Sequence, residues 1–542
     1  MESSSSLAYP ICTVAFSASG CDMEAPLVSR WPMLSRRSLL SVLSFSFAYP
    51  SMGSSLSGYA AAKNPGQRLG INLSGMSYWA AEQPFTNLAC NAARWRVQVK
   101  DAPFTWDEEL PPMTLEGYPL TVPTDAWLDS FLIFTPHRRH LPSKLFLHYE
   151  GSGRMTYVGG GELIERLPGR DLVRNLRRDD ALTLRLIETS MADPVRNIRL
   201  SEQDPPSNEI FRGAFLKRLE NMSALRFMDW MATNNSPVKR WDERPQLGRF
   251  AQWERGVPLE NMVHLSNTTG IPPWFTMPHQ ADDDYIRKFA QQVRRDLDPS
   301  LAVHVEYSNE VWNLIFDQAD YAGKQGLRLG FSSDGFEAQL RYYSYRTTQI
   351  IKLWREVFAE DASRIVGVFA AQASNPWTSE TILGFQEASQ FADVLAIAPY
   401  FGGGLGDPMR AKEVEAWDLD QLFSQLNREV ETDTQQQINA QMAVARRYNV
   451  ALHAYEGGQH LVGYDGAEDN EQLTELFIAA NRDPRMGQLY QRHLAIWHQE
   501  GGGLYALFAS MGEPSKWGSW GLLEFEGDRR PKWDAVQRLL RS

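Results

Sequence analysis

From Phe211 to the end of the chain, short apolar runs alternate with segments of helical period. This alternation limits the fold more than any other feature. Helix Phe215–Met222 leads to the run Leu225–Asp229, Pro258–Thr268 to Trp274–Met277, and Asp283–Leu297 to His304–Asn309. Phe336–Phe358 then leads to Ile365–Ala370, Thr378–Gln390 to Val394–Tyr400, Ile438–Tyr448 to Val450–Glu456, and Leu473–Gln499 to Gly503–Phe508. A last helix is expected at Trp533–Leu540. With an earlier run at Leu69–Leu73, the count is eight strands. The runs are continuously apolar, as strands covered on both faces must be. The expected fold is therefore α/β, a (β/α)8 TIM barrel. An open doubly wound sheet is the alternative, but no Gly-x-Gly-x-x-Gly turn follows the first strand, which argues against a nucleotide-binding version.

Between Trp106 and Leu200 the pattern changes to short alternating runs broken by Gly151, Gly153, Gly159, Gly160 and Gly161. That reads as an all-β, sandwich-like insertion after the first strand. Leu88–Arg96 reads as a short helix. Upstream, Ser35-Arg36-Arg37 precedes a Leu/Val/Phe run and small residues, with no Asp or Glu between Met33 and Ala62. This is the layout of a signal peptide of twin-arginine type. The expected divisions are 1–62 as N-terminal extension and signal peptide, 63–104 as the first part of the barrel, 105–205 as the insertion, and 206–542 as the rest of the barrel. Residues 1–32 lie before an alternative start at Met33. Once the leader is removed, no membrane span is expected in the mature chain, because no other run is long and apolar enough. An exported protein, periplasmic or secreted from a bacterium, is the expectation. A formal charge of −12 disfavours nucleic acid and anionic membranes as partners. Of three cysteines, Cys12 and Cys21 fall in the leader, and Cys90 alone supports no disulfide framework.

In a barrel of this kind, chemistry gathers at the C-terminal ends of the strands. Those ends carry Asn72, Asp229-Trp230, Pro278-His279, Asn309-Glu310, Ala371-Gln372, Tyr400-Phe401, Glu456-Gly457 and Phe508-Ala509, with Trp517 and Trp520 beyond. Two glutamates at two strand ends, among aromatic residues, suggest a site for cleaving glycosidic bonds. Trp79, Trp274, Trp312, Trp377 and Trp520 are the tryptophans expected on the rim, the rest of the 17 in the core. Gly402–Gly404 opens a segment, to about Gln425, that reads as a long loop over this face. No zinc, P-loop or nucleophile-elbow motif occurs, and no cofactor is expected.

Asn309-Glu310 ending the fourth strand, with Glu456 ending the seventh, resembles clan A of the glycoside hydrolases, the 4/7 retaining glycosidases. Tyr400 after strand six and Trp520 after strand eight fit the same pattern. The resemblance covers about residues 66–104 and 206–542. The stretches His304–Asn313 and Tyr455–His460 are also similar to secreted bacterial proteins labelled "cellulose-binding". The resemblance implies Glu310 as acid/base, Glu456 as nucleophile, and a poly- or oligosaccharide as partner. Retaining hydrolysis sets two such carboxyls about 5–5.5 Å apart. Arg226 and Tyr400 are expected to keep Glu456 ionised, and Trp312 and Trp274 to keep Glu310 protonated. Asn309, His279, Trp520 and Trp79 are the further substrate-binding residues. Arg226 has a second reading, as interior partner of Glu306, and His279 as a structural histidine. Two other functions remain open at this point: a carbohydrate-binding protein without turnover, and an assembly protein for an extracellular polysaccharide. Sugar, linkage and oligomeric state are not legible.

Overall fold

The computed structural model describes residues 68–134, 137–176, 180–252 and 255–541. The leader expected over 1–62 lies outside them. Eight parallel strands follow one another around a closed barrel: β1 (Leu69–Asn72), β2 (Leu225–Arg226), β3 (Pro273–Met277), β4 (Val303–Tyr307), β5 (Ile365–Ala370), β6 (Val394–Ile397), β7 (Ala451–Ala454) and β8 (Tyr505–Leu507). The ring closes where Leu69, Gly70 and Ile71 pair with Tyr505, Ala506 and Leu507. Closure rules out the open sheet. Every residue of these strands is buried except Ala451. Helices cover the outside and side chains fill the inside, which is why the runs read as unbroken apolar sequence.

Register then decides which side chains meet within the barrel. Asn72 lies beside Arg226, Arg226 beside Trp274, and Thr276 beside Glu306. The three polar residues Asn72, Arg226 and Glu306 are thus held inside by neighbours that are themselves buried.

Two four-stranded antiparallel sheets form the insertion. One contains Arg96–Val99, Ala126–Ile133, Leu182–Thr189 and Gly153–Gly159; the other contains Gly161–Leu167, Arg170–Asn175, Lys144–Glu150 and Arg196–Ser201. Leu128, Leu145, Leu147, Leu184 and Leu186 build the core between them. The barrel lends Phe250 and Ala251 to that core from the segment between β2 and β3, with Phe250 stacked on Trp95 at 5.2 Å. The chain leaves for the insertion and returns from it side by side. Phe85 bridges Phe211, Thr86 N donates to Ile210 O at 2.9 Å, and Arg212 N donates to Pro84 O at 2.9 Å.

Several elements differ from expectation. Leu88–Arg96 is not one helix: a 3-10 turn at Leu88–Asn91, capped by Asn87, gives way to the strand at Arg96. The helix expected at 378–390 stops at Leu383, before Gly384, and resumes at Ala388–Phe391. The one expected at 473–499 is two, Glu471–Arg482 and Pro484–Gln499, because Asp483 caps a new start with proline in its first turn. The segment after β6 is not an open loop either; it holds the helices Pro408–Val414 and Leu419–Glu429. No described helix is long and apolar enough to cross a membrane.

Candidate active site

Arg226 is the centre of the site. It is fully buried, and all five of its N–H groups are used. Nε and Nη2 grip Glu306 at 3.1 Å each. The second Nη2 hydrogen goes to Asn309 Oδ1 at 2.8 Å. Nη1 serves Asn72 Oδ1 at 3.0 Å and Glu456 Oε1 at 2.8 Å. Burial disfavours the charged guanidinium, but Glu306 and Glu456 outweigh it and its pKa is raised. The two sequence readings of Arg226 therefore hold together: it partners Glu306 and supports Glu456 with the same fork.

Glu456 lies just past β7 and is buried. Its other oxygen accepts from the Tyr400 hydroxyl at 3.1 Å. Burial raises this carboxyl, while the Arg226 charge and hydrogen bond and the Tyr400 hydroxyl pull it back. Glu310 has weaker support. It accepts from the Tyr455 hydroxyl at 3.0 Å and from Asn313 Nδ2 at 2.9 Å, and among the described residues it has no ion pair. Burial, and then the charge of Glu456, push it up to about 7. The net shift of Glu456 is still upward, but the two carboxyls differ in support: a guanidinium contacts Glu456, and only an amide and a phenol contact Glu310 among the described residues.

The backbone aims Glu310. Ser308 and Glu310 have φ of 57° and 44°, left-handed values that L-residues seldom adopt. Each costs on the order of 1–3 kcal/mol and persists only where its surroundings enforce it. Alternating these turns lets consecutive residues face the same cleft, Asn309 on Arg226 and Glu310 on Tyr455. Asn309 is fixed further: Nδ2 donates to Asn234 Oδ1 at 3.1 Å, and its carbonyl accepts from Gln318 Nε2 at 2.8 Å. One Nδ2 hydrogen remains for a ligand.

The Trp520 indole N–H donates to Trp517 O at 2.8 Å. It meets Tyr400 edge-on at 5.8 Å and His460 at 5.1 Å, and His460 meets Tyr400 at 5.5 Å. These three rings wall the cleft beside Glu456. Trp79 meets Tyr78 edge-on at 4.7 Å, and Tyr78 packs on Phe131 of the insertion. His279 is buried against Tyr321; its ring bonds Gln280 rather than either glutamate, and burial pushes it down to about 4. Trp274 is a correction. It is not on the rim but fully buried, with its indole donating to Glu306 at 2.8 Å. Its register beside Arg226 puts it inside the barrel, where it serves Glu306 and not Glu310.

Tyr455, Asn313 and Asn234 carry roles that the sequence reading did not assign. Period-two alternation sets Tyr455 and Glu456 on opposite faces, but ladder pairing ends at Ala454 and the next two side chains both turn inward. Among the described residues, no group of three or more His, Cys, Asp or Glu side chains is placed to hold a metal ion.

No family model matches the chain, and no curated protein matches it. Solved structures similar to it include glycoside hydrolases. A GH51 arabinofuranosidase from Xanthomonas axonopodis pv. citri is 15% identical, with a TM-score of 0.37 over 56% of this chain and 62% of its own. A GH5-4 broad specificity endoglucanase from Clostridium acetobutylicum is 11% identical, with a TM-score of 0.34 over 62% of this chain and 91% of its own. A modular endo-beta-1,4-mannanase of family 26 from Cellulomonas fimi is 10% identical, with a TM-score of 0.33 over 60% and 65%. The chain spans less than two thirds of the arabinofuranosidase and of the mannanase.

Proposed function

We propose that this protein is an exported retaining glycoside hydrolase, acting on a poly- or oligosaccharide by double displacement. Glu456 is the nucleophile and Glu310 the acid/base. The observation that carries this reading is the unequal support of two neighbouring carboxyls. A nucleophile has to be an anion, and Glu456 has a guanidinium and a phenol to hold the charge. An acid has to keep its proton until the leaving group departs, and Glu310 sits near 7 with only an amide and a phenol on it. In the first step Glu456 attacks the anomeric carbon while Glu310 protonates the departing oxygen. In the second, Glu310 takes a proton from water, which displaces Glu456. In this reading Asn309 offers its free N–H to a sugar hydroxyl beside the reacting carbon, and Trp520 lies against the ring. Export rests on the twin-arginine-like leader alone.

A panel of polysaccharides and aryl glycosides tests the reading, with the anomer of the first product followed by NMR. Turnover with retained configuration is expected. An inverted product, or glycan binding with no turnover of any substrate, sinks it; the latter leaves a carbohydrate-binding or polysaccharide-assembly protein.

The pH profile gives a second test. Activity needs Glu310 protonated, so kcat/KM should fall as pH rises through about 7. Tyr455 donates to the carboxylate and so favours the charged form. Tyr455→Phe should move this limb to higher pH, by roughly half a unit to one unit for the loss of one hydrogen bond. A limb that stays put or moves down assigns it to another group.

A further inference from the structure

One carboxyl at the mouth has no part in the mechanism above. Asp229 lies in the turn after β2, three residues beyond Arg226, and is partly buried. Its carboxyl has no hydrogen bond or ion pair among the described residues; burial and then the charge of Glu456 raise it to about 7, opposed only by Arg226. Arg226 has no N–H to offer it, since Glu306, Glu456, Asn72 and Asn309 take all five. The turn is fixed in place: the Trp230 indole donates to Ser74 O at 3.1 Å. Across from it, Gly75 has no side chain, and a Cβ there would stand 3.6 Å from the Asp229 Cβ.

A carboxyl in such a place is a cost to the free protein whenever it ionises. It then adds negative charge to a site that already sets Glu306 and Glu456 against a single cation. A ligand that brings hydrogen-bond donors offsets that cost, whereas a ligand that brings a carboxylate adds to it. Accordingly, we propose that Asp229 is a specificity-determining residue. Its carboxyl accepts hydrogen bonds from hydroxyl or amino groups of the sugar in the cleft, and it turns away sugars that carry their own carboxylate. The inference deepens the glycosidase reading and rests on it for the position of the sugar.

The test is calorimetric binding at about pH 8.5, where Asp229 is ionised, to the full chain and to its Asp229→Asn and Asp229→Ala variants. The probes are neutral tetrasaccharides of glucose, mannose and xylose, a fully deacetylated glucosamine tetramer, and tetragalacturonate. The wild type should bind a neutral or amino probe at least tenfold more tightly than tetragalacturonate. A neutral winner identifies hydroxyls as the donors; a glucosamine winner identifies the ammonium. Asp229→Ala should weaken the preferred probe about tenfold, and Asp229→Asn should narrow the gap to tetragalacturonate, both with unchanged thermal melting. Tetragalacturonate binding as well as the rest, no binding of any neutral or amino probe, or variants within twofold of wild type would overturn the assignment. The charge order without any turnover overturns the glycosidase reading and leaves Asp229 as assigned. Turnover with binding indifferent to charge does the reverse.

Discussion

Glu456→Gln is expected to lower kcat on the order of 10⁵-fold, the scale seen when a nucleophile is removed from a working site. The amide keeps nearly the same shape and can still accept from Arg226, so the melting temperature should change little. Glu310→Gln should cost about 10²–10⁴-fold, the range for general acid–base catalysis. Its loss should be smallest for substrates whose leaving group needs no proton, such as dinitrophenyl glycosides. Glu456→Gly adds a sharper arm: azide, entering the space left by the carboxylate, should restore turnover and give a glycosyl azide of inverted configuration. Full activity in either glutamine variant removes the assignment.

Arg226→Met is expected to destabilise the protein by about 3–5 kcal/mol, the cost of stranding a buried charge by deleting its partner. Glu306 has no exposure at all and would keep only the indole of Trp274. Asn72 and Asn309 would lose a donor each, and Glu456 its cation. The defect should also depend on pH. Without Arg226 the folded-state pKa of Glu306 rises further above its unfolded value, so folding takes up a proton. The variant should therefore be least impaired in acid and lose stability as pH rises through that folded pKa. Denaturant melts at two pH values read this directly, and adding Glu306→Gln should recover part of the loss. A defect below about 1 kcal/mol would mean that the pair behaves like an exposed one.

The legibility of this chain follows physical lines. Val394–Ile397 and Ile365–Ala370 could be read because strands covered on both faces are continuously apolar, and helices between them show their period. That Glu310 and Glu456 lie at one mouth could be read because a strand end is a fixed place in a barrel. Trp274 misled because its fate depends on which residue of β2 it faces, and register leaves no mark on local sequence. Tyr455 was hidden because alternation fails where ladder pairing stops. Phe250 and Ala251 were hidden because they are two residues of a connecting segment that fill a core built mostly elsewhere. Breaks at Gly384 and Asp483-Pro484 were written in the sequence, but a long apolar period on either side outweighed them.

The paired entry and exit at Phe85 and Phe211 have a consequence for the lineage of this architecture. A segment whose two ends lie one strand spacing apart can be swapped as a cassette, because the barrel sees the same gap whatever fills it. Widening that loop is also cheap, as closure entropy grows only with the logarithm of length. Binding at the barrel mouth could thus be re-tailored wholesale by exchanging residues 87–209. Phe250 is the toll on such an exchange: it is seated in the guest's core, and any replacement guest must either cover it or come with a smaller, polar residue in its place.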